Sequence, residues 1–182
     1  MNHNLKKLAA ATLVVLGMMS ASAFSATKLD DATILAIFDQ ANMADIWTGR
    51  IGVKKGASEE VRALGRMVVT DHEAVQQMGR DLAKKLGIIP TPPENDMSVD
   101  NQAKAIAMLQ SKSGAEFDKA YLEYEIAYHQ AVIDAIKGTL LPSIKNEELK
   151  ALVKKVLPGF EHHLAASKAA AKKLGIADIA QR

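Results

Sequence analysis

From about residue 30 onward, apolar residues recur at steps of three and four through four long segments, and no run alternates with a period of two. That spacing predicts an all-α chain. The first long helix is expected near 30–55, ending around Gly56, and Ser58 caps a second that carries Glu59 and Glu60 in its positive first turn and runs to about Leu86. In Pro90-Thr91-Pro92-Pro93 each proline lacks an N–H and restrains its predecessor, so this stretch cannot be helical. A short helix follows near 99–111. Ser113 and Glu116 then read as a capping box for a third long helix ending near Gly138. The fourth runs from about Asn146 to Leu174, with a bend expected at Pro158.

The connection between the second and third long helices is far longer than the other two. It is long enough to carry the chain back along the molecule, so that the third long helix starts at the same end as the second. This is the crossover of a ferritin-like four-helix bundle, here containing the short extra helix.

Following the core seam in steps of four and three exposes the candidate chemistry. The first helix presents Ile34, Phe38, Ala41, Asp45, Thr48 and Gly52; the second presents Val61, Gly65, Val68, His72, Val75 and Leu82. The third adds Leu122, Glu125, His129 and Ile136, with Asp118 a step earlier, and the fourth adds Val156, Phe160, His163, Ser167 and Ala170. Each apolar seam thus carries a side chain of the metal-ligand type, while His162 falls off it. At a rise of about 1.5 Å per residue, Asp45, His72, Glu125, His129 and His163 lie within about 8 Å of one level. Counted instead from the turn between the last two long helices, His129 and His163 separate by about 14 Å. That count would leave His163 to pair with Glu125, Asp118 or Tyr121 while His129 joins His72.

Buried ionisable groups must be paired or metal-bound. An imidazole and carboxylate set suits iron, zinc, copper or manganese better than calcium. The same residues could instead form metal-free hydrogen-bonded pairs. Tyr121, Tyr124 and Tyr128 share a neighbouring face of the third long helix, where packing is their ordinary role. Met43, Met67, Met78, Met97 and Met108 are scattered and read as fillers. Trp47 reads as a packing residue, and Lys168, Lys172 and Lys173 suit a helix C-terminus.

The N-terminus changes the setting. Lys6-Lys7, an apolar run from Leu8 to Met19 and the small residues Ala21-Ser22-Ala23 read as a secretory signal peptide occupying 1–23, cleaved near Ala23. Its apolar core is too short for a membrane-spanning helix, and nothing later in the chain approaches a span. Export to the periplasm is therefore expected, with 24–182 forming one domain. Lys6 and Lys7 leave with the signal, taking 23 basic residues to 21 against 21 acidic ones, so no nucleic-acid footprint is present. The absence of cysteine excludes disulfides, thiolate metal sites and cysteine nucleophiles.

Taken together, several stretches resemble the bacterial exported family catalogued as domain of unknown function 4142, a ferritin-like helical family. They are Ala44-Asp45 with Gly49, Met67-Val68-Val69-Thr70-Asp71-His72, Gly114-Ala115-Glu116-Phe117-Asp118-Lys119-Ala120-Tyr121 leading to His129, and Leu157-Pro158 leading to His163. The resemblance spans nearly all of the chain after the signal, implies the bundle fold, and favours His163 over His162. It implies no settled activity. Where this chain has Asp45 the family usually has Glu, which has a longer reach.

No Glu-x-x-His occurs, which argues against a di-iron oxidase. No nucleophile triad, phosphate loop or nucleotide fingerprint indicates another enzyme class. The leading expectation is a periplasmic transition-metal-binding protein, with His72, His129 and His163 as imidazole ligands and Asp45 or Glu125 supplying oxygen, acting in storage, buffering or envelope stress protection. A metal-free envelope interaction module is the alternative. A redox enzyme using Tyr121 is a third.

Overall fold

The computed structural model describes residues 29–176, and the signal peptide read at 1–23 lies outside the described residues. Those residues are all-α, with α1 (Asp31–Lys55), α2 (Glu59–Leu86), α3 (Ser98–Gln110), α4 (Gly114–Ala135) and α5 (Glu147–Lys173). None of these helices is long and apolar enough to cross a membrane.

Local chemistry sets the ends. Asp30 accepts from Thr33 N at 2.9 Å, Ser58 from Val61 N at 3.3 Å, and Asn146 from Leu149 N at 3.0 Å, each satisfying an N–H of the first turn. Gly87 closes α2 in the left-handed conformation, φ 66, which glycine adopts without steric cost. The capping box expected at Ser113 does not form: its hydroxyl makes no cap hydrogen bond, because Gly114, at φ 58, takes the chain into α4 by an irregular turn. Pro158 is accommodated inside α5 on its exposed face, where water can reach the carbonyl that loses its donor.

The helix expected to stop at Gly138 goes further. After Ala135 the chain makes a π turn, Ile136–Leu140, and a last helical turn, Leu141–Ser143, before Ile144 turns extended. Gly138 could end the helix only by breaking it. The π turn instead absorbs the irregularity and keeps Ile136 and Leu140 in the core.

Two carboxylates show which ends coincide. Asp118, near the start of α4, accepts from Ala57 N and Ser58 N, both at 2.8 Å, just ahead of α2. Asp31, at the start of α1, accepts from Lys145 N at 2.9 Å and Asn146 N at 3.0 Å, just ahead of α5. Helices α2 and α4 therefore start at one end and α1 and α5 at the other. The connection through α3 runs back along the molecule, and α3 lies against α1.

Helix α1 packs chiefly on α2, and α4 on α5, giving two hairpins. The first is drawn tight at Gly49 and Gly65: a Cβ on Gly65 would meet Gly49 O at 2.7 Å. Two large apolar clusters fill most of the core, with a small third at Ala44, Ala105, Tyr124 and Tyr128. One gathers Ile34, Phe38, Ile133, Val153 and Phe160; the other gathers Val61, Val68, Phe117, Leu122 and Ala171. Asp45, His72, His129 and His163 each fall between stretches of their helix that belong to the two large clusters. The buried stripes drift from the strict seven-residue count beyond the middle: Gln76 and Ala83 replace Val75 and Leu82, and Ala171 replaces Ala170. An α-helix of 3.6 residues per turn imposes that drift.

Candidate metal centre

Asp45 from α1, His72 from α2, Glu125 and His129 from α4, and His163 from α5 meet in the layer between the apolar clusters, all five buried. One ligand atom from each of His72, His129 and His163 lies within 4.8 Å of the others, and the same holds for Asp45, Glu125 and His129. The ring centroids of His129 and His163 are 5.3 Å apart. The height count that separated these two residues therefore fails. The continuation of α4 to Ser143 moves the α4–α5 turn about five residues, or about 7 Å, further from His129. His163 does not pair with Asp118, which caps the α1–α2 turn, nor with Tyr121, which stacks on Phe117.

Each imidazole has its outward nitrogen held by an acceptor: a side-chain amide, a backbone carbonyl and a carboxylate. Asn42 donates its amide N–H to Phe38 O at 2.7 Å, which turns its Oδ1 toward His72 Nδ1 at 2.8 Å. The proton must sit on His72 Nδ1, leaving a lone pair on Nε2. His129 Nδ1 donates to the Glu125 carbonyl at 2.9 Å, leaving its Nε2 with no hydrogen-bond partner. His163 Nε2 donates to Asp71 Oδ2 at 2.9 Å, leaving the lone pair on Nδ1.

The three free nitrogens point inward. His72 Nε2 and His163 Nδ1 are 3.1 Å apart, and with both outer nitrogens protonated no hydrogen lies between the neutral rings. Asp45 Oδ2 lies 3.2 Å from His72 Nε2 and 3.8 Å from His129 Nε2, in hydrogen-bonding geometry with neither. Glu125 is held at one oxygen by the Thr48 hydroxyl, 3.3 Å from Oε1. Six buried atoms in this layer have no hydrogen bond: both Asp45 oxygens, Glu125 Oε2, His129 Nε2 and the Tyr121 and Tyr124 hydroxyls.

Burial dominates the electrostatics. It holds His72 well below the ordinary histidine value, assisted by the neighbouring imidazoles, and pushes His129 down to about 3. His163 is lowered by the same cause, against the pull of Asp71. Burial and the charge of Glu125 raise Asp45 well above the carboxylate range, and burial lifts Glu125 to about 8, opposed by the Tyr121 and Thr48 hydroxyls. The metal-free layer is therefore a set of neutral imidazoles beside carboxyl groups that resist ionisation.

Such a donor set fits a transition-metal ion. Lone pairs 3.1 Å apart suit nitrogens sharing an ion about 2.0–2.1 Å from each. Outer N–H groups fixed by a carboxylate, a carbonyl and an amide are the arrangement that orients imidazole ligands. A surface cleft lined by Leu35, Phe38, Asp39, Arg80 and Pro90 shares no residue with the cluster.

Sequence reasoning missed Asn42 and the orienting part played by Asp71. Asn42 was traceable, because it precedes Asp45 by three residues and so shares its face of α1. Asp71 lies one residue off the α2 seam, with its side chain about half exposed, and only the position of α5 brings it to His163.

Fold and site define an all-α protein with a buried imidazole and carboxylate cluster at its centre. The chain belongs to the family described as Domain of unknown function (DUF4142), whose model matches residues 15–170. No curated protein and no solved structure matches it.

Proposed function

We propose that this is an exported, ferritin-like four-helix bundle that binds a transition-metal ion through His72 Nε2, His129 Nε2 and His163 Nδ1, with Asp45 as the oxygen ligand. One observation carries the reading: three outer acceptors leave three inward lone pairs that no proton satisfies. The coincident starts of α2 with α4 and of α1 with α5 support the bundle, and the Lys6-Lys7 and Leu8–Met19 segments support export to the periplasm. Iron, zinc, copper and manganese all accept this donor set. Storage, buffering or protection of the envelope under metal stress is the corresponding role. A metal-free interaction module is disfavoured, since structural pairs would close the His72 and His163 contact with a proton.

The test is elemental analysis of protein purified from its own compartment without chelator or affinity tag, with melting curves recorded in each metal. Near-stoichiometric metal and a raised Tm are expected, worth about 2.7 kcal/mol at a hundredfold excess over Kd. Replacing any two of the three histidines with alanine should abolish both effects. Protein that arrives empty, with a Tm indifferent to every metal offered, overturns the proposal.

A further inference from the structure

Subtracting the atoms used by the imidazole ion leaves a second group. Of the six unbonded buried atoms, His129 Nε2 and Asp45 Oδ2 face the imidazole cluster, and the other four are all oxygens: Asp45 Oδ1, Glu125 Oε2 and the Tyr121 and Tyr124 hydroxyls. Asp45 and Glu125 are wholly buried, as is Tyr121, and their carboxyl groups approach within 4.8 Å. The Tyr121 hydroxyl lies close enough to the Glu125 carboxyl to favour its ionised form as a donor, though short of good hydrogen-bond geometry, and both acids oppose ionisation of the phenol.

We propose a second cation position in the same core, built from Asp45 Oδ1, Glu125 Oε2 and the Tyr121 oxygen, with Asp45 bridging it to the ion on the histidines. The inference rests on the imidazole reading for its first ion. The supports of the second position are separate. Thr48 holds Glu125 Oε1, and Oε2 is left without a hydrogen bond, 3.5 Å from His129 Nδ1. Phe117 stacks on the Tyr121 ring, which lies over Gly52 so closely that a Cβ there would be 2.9 Å from the hydroxyl oxygen. The phenol is thereby aimed before any ion arrives.

The chemistry of the two positions differs. Three imidazoles and one carboxylate oxygen make a nitrogen-rich site, whereas two carboxylates and a phenol make a hard, oxygen-rich one suited to divalent manganese or iron. A carboxylate that offers one oxygen to each ion places them at the separation of about 3.5–4 Å found in two-metal centres.

Manganese(II) is the probe. The purified full chain is dialysed to equilibrium against it, bound metal per chain is measured by elemental analysis, and electron paramagnetic resonance reports whether bound ions are magnetically coupled. Two ions per chain with a coupled signal are expected for the wild type. Glu125→Gln should retain one uncoupled ion. Tyr121→Phe, which removes a single hydroxyl, should weaken the second equivalent by about tenfold or more, and it carries the test should Glu125→Gln fail to fold. One ion in the wild type, unchanged in either variant, overturns the second position and leaves the imidazole site standing. Two ions that survive in Glu125→Gln overturn it as well. No manganese in the wild type overturns the second position, and the imidazole site is then decided by the melting curves in iron, zinc and copper.

Discussion

His72 Nε2 and His163 Nδ1 face each other at 3.1 Å with both rings held neutral and both outer nitrogens protonated. Two acceptors at that distance repel unless something positive lies between them. The contact is held by Asn42 behind one ring and Asp71 behind the other, which makes these two residues the place to separate ligand from support.

Asp71→Ala removes no ligand and touches a side chain that is about half exposed. Its loss frees the His163 ring to change tautomer or rotate, so metal affinity should fall by about ten- to a hundredfold. The Tm of the metal-free protein should barely change. Isothermal titration and a melting curve on the same sample check both halves.

Asp45→Asn should move stability and binding in opposite directions. The carboxyl is wholly buried with neither oxygen hydrogen-bonded, and burial holds it well above the ordinary carboxylate range, so at neutral pH it costs stability that an amide, which never ionises, does not. Urea unfolding should show the metal-free variant more stable by about 1 kcal/mol. Its affinity for metal should fall sharply, because an amide is a poor ligand beside three imidazoles.

The metal-free protein should be most stable near pH 6.5. His129 binds its proton only below about 3 when folded but at 6.5 when unfolded, so the unfolded chain holds more protons between those values and stability rises with pH across them. His72 and His163 act in the same direction. Glu125 is the reverse: folded it keeps its proton up to about 8, unfolded only to 4.5, so stability falls as pH rises through that window, with Asp45 adding to the fall. Above 6.5 only the acids remain, each worth at most about 1.4 kcal/mol per pH unit. Thermal melts across pH should show the decline, and bound metal should abolish it by stabilising the ionised carboxylates.

Gly52→Ala would place a methyl group 2.6 Å from Tyr121 Cζ, inside a stacked and buried ring pair. A loss of about 1–3 kcal/mol is expected from overpacking. Gly159→Ala on α5 is the control. Nothing lies within 4 Å of its Cβ, and a gain of about 0.5–1 kcal/mol is expected from the reduced freedom of the unfolded chain. Chemical denaturation of the two variants against wild type measures both.

The helices and the five residues of the buried cluster were readable because each lies on an apolar stripe of period 3.6, which a buried polar side chain interrupts visibly. Ser58 and Gly87 marked their helix ends through local chemistry. What misled was Gly138, since its intrinsic preference for ending a helix yields to the burial of Ile136 and Leu140, a tertiary effect. The false height difference between His129 and His163 followed from that one boundary. The support from Asp71 was invisible for a different reason: it depends on where α5 lies against α2, which no local pattern encodes.

The division into two hairpins has a kinetic consequence. Asp45 and His72 belong to the α1–α2 hairpin, and Glu125, His129 and His163 to the α4–α5 hairpin. An ion at the histidines would be a clasp across the seam, unable to form until both halves have already docked. It would therefore slow the opening of the molecule far more than it hastens its assembly. Metal supply would then set how long the folded molecule lasts.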